Sequence, residues 1–119
     1  MRVTSSPASR KRRKRILDRA KGFYGSRSKL IRMAYGAVAH ADTYAYIGRK
    51  QKKRQYRSLW NIRINAACRP LGINYSQLIH GLKLAGVELN RKVLADLAAQ
   101  DAAGFAAVVS QAQSALAKV

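Results

Sequence analysis

Eighteen of the chain's Lys and Arg residues lie before Leu59, where only Asp18 and Asp42 oppose them, so residues 1–58 carry a net charge of +16. Residues 59–119 hold six cations against Glu88, Asp96 and Asp101, a net of +3. Apolar residues run the other way, 22 of 58 in the first part and 35 of 61 in the second. Like charges repel when a chain is packed tightly, so the first part is ill suited to collapse on itself. The core is therefore expected mainly in residues 59–119, with residues 1–58 as a basic arm. A domain of about 60 residues buries only about 60% of its unfolded surface, so the second part is expected to be small and marginal by itself.

The whole chain has a formal charge of +19, far beyond what solubility asks of a small protein. A polyanionic partner accounts for it most simply. Five acidic residues are too few, and too widely spaced, for paired-carboxylate chemistry or carboxylate metal cages. The single Cys excludes a disulfide framework and a Cys-based zinc site, and fits a reducing compartment. His40 and His80 lack ligand-spaced companions, and no phosphate-cradling glycine loop or nucleophile elbow is present. Cys68, on the apolar face of a helix, is expected to be a small core residue. Its neighbour Arg69 would lower the thiol pKa, but no base lies close in sequence. Neither an enzyme nor a cofactor is expected. No apolar run reaches the roughly 18 residues of a membrane span, and no hydrophobic segment follows the basic start as in a secretory signal.

The pattern is all-α. Met1 to Ser9 read as an irregular lead. A short helix should follow and break at Gly22 and Gly25, which bracket Phe23-Tyr24. From Ser26, with Ser26 or Ser28 as a cap, the chain runs to Arg69 without a proline. Leu30, Ile31, Ala34, Val38 and Ala41 keep helical spacing there, as do Trp60, Ile64, Ala67 and Cys68. A continuous helix of about 43 residues would be about 65 Å long, with Gly36 and Gly48 as places to bend. Pro70-Leu71-Gly72 should stop it.

Three shorter helices follow. Asn74 with Gln77 makes a capping-box pattern before Tyr75, Leu78, Ile79, Leu82 and Ala85, and Gly86 ends that helix. Asn90 caps the next, with Val93, Leu94, Leu97 and Ala98 inside. Asp101 caps the last, where Phe105, Val108, Val109, Ala112 and Leu116 form a stripe.

A lone basic cluster is often just a solvated face, but here there are three. They are Arg10, Lys11, Arg12, Arg13, Lys14 and Arg15; then Lys21, Arg27, Lys29 and Arg32; then Arg49, Lys50, Lys52, Lys53, Arg54 and Arg57. Phosphates neutralised by such runs release counterions and give sequence-independent affinity. Five of the six Tyr lie in the same part of the chain, as side chains that stack on unpaired bases do. Tyr35 and Tyr44 have two readings, on RNA or packed against a helix; Tyr24, between Gly22 and Gly25, reads as an RNA contact. A DNA-compacting protein would need a dimer seam or duplex-reading element, and neither is clear. A membrane-active helix would need one clean apolar face, which the basic part lacks. An RNA-embedded structural protein is the reading that survives.

Arg19-Ala20-Lys21-Gly22-Phe23-Tyr24-Gly25-Ser26-Arg27-Ser28-Lys29 and the run Lys52-Lys53-Arg54-Gln55-Tyr56-Arg57-Ser58-Leu59-Trp60-Asn61-Ile62-Arg63-Ile64-Asn65-Ala66-Ala67 resemble bacterial large-subunit ribosomal protein L-twenty. So does Leu89-Asn90-Arg91-Lys92-Val93-Leu94-Ala95-Asp96-Leu97-Ala98. The likeness extends from about Ser9 to Leu116 in order and spacing.

The resemblance implies a long bent N-terminal helix within large-subunit ribosomal RNA and a helical C-terminal domain. It also implies an early role in subunit assembly, neighbouring ribosomal proteins as partners, and location in the ribosome of the bacterial cytoplasm. Some family members bind their own messenger RNA and repress it. Carried across, the RNA contacts are Lys21, Gly22, Tyr24, Arg27, Lys52, Lys53, Arg54, Arg57, Trp60 and Arg63. Trp60 has a second reading, as the knob joining arm to domain. Ala102 departs from the proline that often begins the last helix.

Overall fold

A computed structural model describes Arg2 and residues 4–118. These residues form α1 (Ser6–Arg19), α2 (Ile31–Cys68), α3 (Tyr75–Leu84), α4 (Arg91–Gln100) and α5 (Ala102–Leu116), with 3-10 turns at Gly25–Ser28 and Arg69–Leu71. No strand occurs among the described residues, so the all-α expectation holds. Contacts divide the chain into two compact units, Met1–Gln51 and Lys52–Val119. The 38-residue α2 contributes to both.

In the first unit, the helix starts earlier than expected. Met1 and Val3 lie outside the described residues, but the remainder of the expected lead is not irregular to Ser9. Instead α1 begins at Ser6, with Pro7 in its first turn. Proline suits that place because its missing N–H would have no intrahelical partner and its φ is already helical. The chain leaves α1 through Gly22 at φ +89° and Gly25 at φ +62°, left-handed conformations that side chains resist.

α2 then begins at Ile31 rather than at Ser26. The Ser28 hydroxyl donates to the Gly25 carbonyl at 3.0 Å, holding the 3-10 turn instead of capping the helix. The helix continues unbroken past Gly36 and Gly48. The last turn of α1 rests on the start of α2: Ala20, Ala34 and Val38 are buried, with Ile16, Leu17 and Phe23 packed around them. Arg19 pairs with Asp42 nearby, both half exposed, a setting in which an ion pair adds little.

The second unit holds the main core. Ile64 and Cys68 of α2, Leu78 and Leu82 of α3, Leu94 and Ala95 of α4, and Phe105, Val109 and Ala112 of α5 are buried together with Ile73. The expected caps are in place. Asn74 accepts from the Gln77 N–H at 2.8 Å, while the Asn74 N–H donates to Gln77 Oε1 at 3.1 Å. Asn90 accepts from the Val93 N–H and Asp101 from the Gly104 N–H, both at 2.9 Å. Asp101 thus starts α5 at Ala102 without a proline. Pro70 lies in the turn after α2, and Gly72 and Gly86 take φ +75° and +70°.

The inward assignments of Ala85 and Val93 fail, since both residues are exposed. Val93 is 41% exposed, and Ala95 is buried in its stead. α4 carries apolar residues around much of its circumference, so docking decides which arc faces the core.

Candidate nucleic-acid interface

Every residue of α2 from Asp42 to Leu59 is exposed. Most helices in proteins are stabilised by packing an amphipathic face, and this stretch packs none. It carries Arg49, Lys50, Lys52, Lys53, Arg54 and Arg57 against the single acid Asp42. Arg49, Lys53 and Arg57 follow one stripe at i, i+4 and i+8, where like charges repel by about 0.2–0.5 kcal/mol per pair. Among the described residues none of the six has a carboxylate within ion-pair distance.

Lys50 lies 5.3 Å from the Tyr46 ring centroid and Lys52 5.9 Å from that of Tyr56. These exposed contacts are each worth about 0.5–1 kcal/mol and hold cations beside flat aromatic surfaces. A helical stretch of this kind presents charge and stacking area and, among the described residues, has no carboxylate partner for its six cations.

The other sequence-derived positions are spread over both units. Arg10, Lys11, Arg12, Arg13, Lys14 and Arg15 are all exposed on α1, which has no buried residue. Arg27 and Lys29 are exposed in the connection to α2, and Tyr24 is 95% exposed. Lys21 stands 3.4 Å from Asp18, with both side chains at least half exposed. Gly22 has a local reason to be glycine, its positive φ. Tyr35 and Tyr44 are both exposed, and Tyr44 meets His40 edge-on at 4.4 Å. Trp60 packs partly against the second unit's core, which favours its structural reading, while Arg63 is exposed.

Two features escaped sequence reasoning. The Tyr75 hydroxyl accepts from Arg91 Nε at 2.6 Å and donates to Asn61 Oδ1 at 3.0 Å, tying α2, α3 and α4 together. His40 and Arg32 share a groove with Phe23, Arg27 and Tyr44. The first joins three helices and has no local sequence signal; the second adds Phe23 and Arg27 of the connection to an i, i+4 stripe of α2.

Cys68 is buried, and desolvation raises its thiol pKa; the expected lowering by Arg69 does not occur. Among the described residues no three His, Cys, Asp or Glu side chains gather as a metal site. No helix of the described residues is long and apolar enough to cross a membrane.

Comparison with known proteins places the chain among its relatives. Residues 2–108 match the family model described as ribosomal protein L20. The large ribosomal subunit protein bL20 of Opitutus terrae is 60% identical over 115 residues, covering 97% of this chain and 91% of that protein. The protein of the same name from Lactococcus lactis subsp. cremoris is 55% identical over 117 residues, covering 98% of each chain.

Proposed function

The chain belongs to the ribosomal protein L20 family, and from that premise we propose that it is a structural constituent of the large ribosomal subunit that binds large-subunit ribosomal RNA directly. The observation that carries this reading is the stretch of α2 exposed from Asp42 to Leu59, with six cations and no acidic neighbour among the described residues beyond Asp42. Phosphates would relieve its self-repulsion and release counterions. Arg10 to Arg15, Lys21, Tyr24, Arg27, Lys29 and Arg63 extend the contact. The second unit, whose helices pack a core of their own, serves as an anchor and as a face for neighbouring ribosomal proteins.

Binding of this kind organises RNA more than it performs chemistry, which suits a role early in assembly. An RNA fold shared with its own messenger would be recognised by the same chemistry, so a messenger fragment belongs among the competitors tested. Sedimentation of cell extract at rising salt tests the main reading, with co-migration with the large subunit at moderate salt as the expected outcome. Equal affinity for duplex DNA and folded ribosomal RNA would favour a DNA-compacting protein instead.

A further inference from the structure

The first unit carries an open groove of about 670 Å3, lined by Phe23 and Arg27 from the connection and by a face of α2 that includes Arg32, Gly36, His40 and Tyr44. Its size falls within the roughly 300–1,000 Å3 of small-ligand sites. The lining is mostly apolar and aromatic, with the two Arg as its cations. The unit's two carboxylates are already engaged, Asp42 with Arg19 and Asp18 with Lys21. Among the described residues Arg27 and Arg32 therefore have no ion-pair partner. A flat apolar body carrying negative charge complements these groups.

Gly36 adds an independent observation. Glycine disfavours a helix interior relative to alanine, yet Gly36 does not take a positive φ. A Cβ built there would meet nothing within 4 Å. Neither the backbone nor internal packing asks for glycine at Gly36 or at Gly48, and of the two Gly36 lines the groove.

We propose that this groove receives one unstacked base of the bound RNA, laid over Gly36 and against the aromatic side chains, with adjoining phosphates at Arg27 and Arg32. Bases splayed from loops and bulges are what proteins read in folded RNA, and aromatic stacking accepts any base because each has a π-face. The inference rests on the RNA-binding reading above and names the part of the RNA that this groove takes.

The test uses the full chain, transcribed large-subunit ribosomal RNA and the variant Gly36→Leu, which favours the helix while filling the groove. Affinity should fall about tenfold or more, in line with loss of a stacked base. The slope of log K against log salt should stay unchanged, since no phosphate contact is removed. Gly36→Ala should weaken binding less than Gly36→Leu, in keeping with its smaller side chain. Tyr44→Ala should weaken binding without altering the slope, and serves as a second probe independent of Gly36. Dimethyl sulfate probing should show an unpaired base shielded by the wild type and reactive with Gly36→Leu.

Wild-type affinity of both Gly36→Leu and Tyr44→Ala for the RNA would overturn the proposal while leaving the RNA-binding reading intact. Normal RNA binding by these variants with failed incorporation into subunits would also overturn it, assigning the groove to a protein neighbour. Failure of the wild type itself to bind the RNA would overturn both readings.

Discussion

Gly81 of α3 lies so close to Ala112 of α5 that a Cβ added to it would stand 2.5 Å from the Ala112 carbonyl oxygen. Both residues are buried, so the two helix backbones approach each other at the one position where a side chain is missing. Replacing Gly81 by Ala would gain about 1 kcal/mol of helix propensity. It would also force apart backbone atoms that have no rotamer to retreat into, an overpacking cost of about 1–3 kcal/mol. Gly81→Ala is expected to lower the chain's thermal midpoint, and a midpoint at or above that of the wild type would show that the helices adjust freely.

Phe105 is 2% exposed at the start of α5. Truncating a core Phe to Ala costs about 3–5 kcal/mol, a large share of a small domain's total stability. Phe105→Ala is expected to melt the second unit's helices at a much lower temperature. The salt dependence of RNA binding by the exposed part of α2 should be retained below that temperature. Thermal circular dichroism together with a salt-titrated binding series checks both halves.

Lys52, Lys53, Arg54 and Arg57 are exposed in succession on α2. Each phosphate they neutralise contributes a slope of about −0.7 to −0.9 in log K against log salt. Replacing all four by Ala should weaken RNA binding and flatten the slope by up to about 3.6. An unchanged slope would mean that these cations face solvent in the complex.

Burial raises the Cys68 thiol pKa above its ordinary value. Below that ordinary value the thiol is neutral in both folded and unfolded chains, and its contribution to stability is complete. As pH rises past it, the unfolded chain ionises Cys68 first, so stability declines until the raised folded value is passed. Urea unfolding followed from about pH 7 to 10 should show this decline, and Cys68→Ser should lessen it. Equal declines in the two proteins would mean that the folded thiol ionises as freely as the unfolded one.

Residues 1–58 in isolation are expected to be largely unfolded in dilute buffer and to become helical on binding RNA. Among the described residues their buried contacts amount to Ala20, Ala34 and Val38, which offset little of the roughly 1–2 kcal/mol of backbone entropy lost per ordered residue. Residues 59–119 should fold unaided. Circular dichroism of the two fragments, with and without RNA, distinguishes coupled folding from a preformed rod, which would be strongly helical alone at low salt.

The sequence by itself determined whatever rests on neighbours three or four residues apart. The caps Asn74, Asn90 and Asp101, the stop at Pro70 and the left-handed Gly86 were legible because both partners of each interaction lie in one short stretch. The stripe of Phe105, Val109 and Ala112 was legible for the same reason, as were the cationic runs. Their sum exceeds what any internal partner can balance, and it points to a polyanion whatever the fold.

Tertiary structure decided what depends on residues that meet only after the chain turns. It begins α2 at Ile31, since the 3-10 turn at Gly25–Ser28 places Ala34 and Val38 against Ala20. It buries Ala95 and leaves Val93 outside, because α4 offers apolar residues on more than one side and the docked neighbours choose among them. It gives Gly81 its meaning through Ala112, thirty-one positions away. Periodicity describes a face of one helix; which face is buried, and how closely, is a property of the pair.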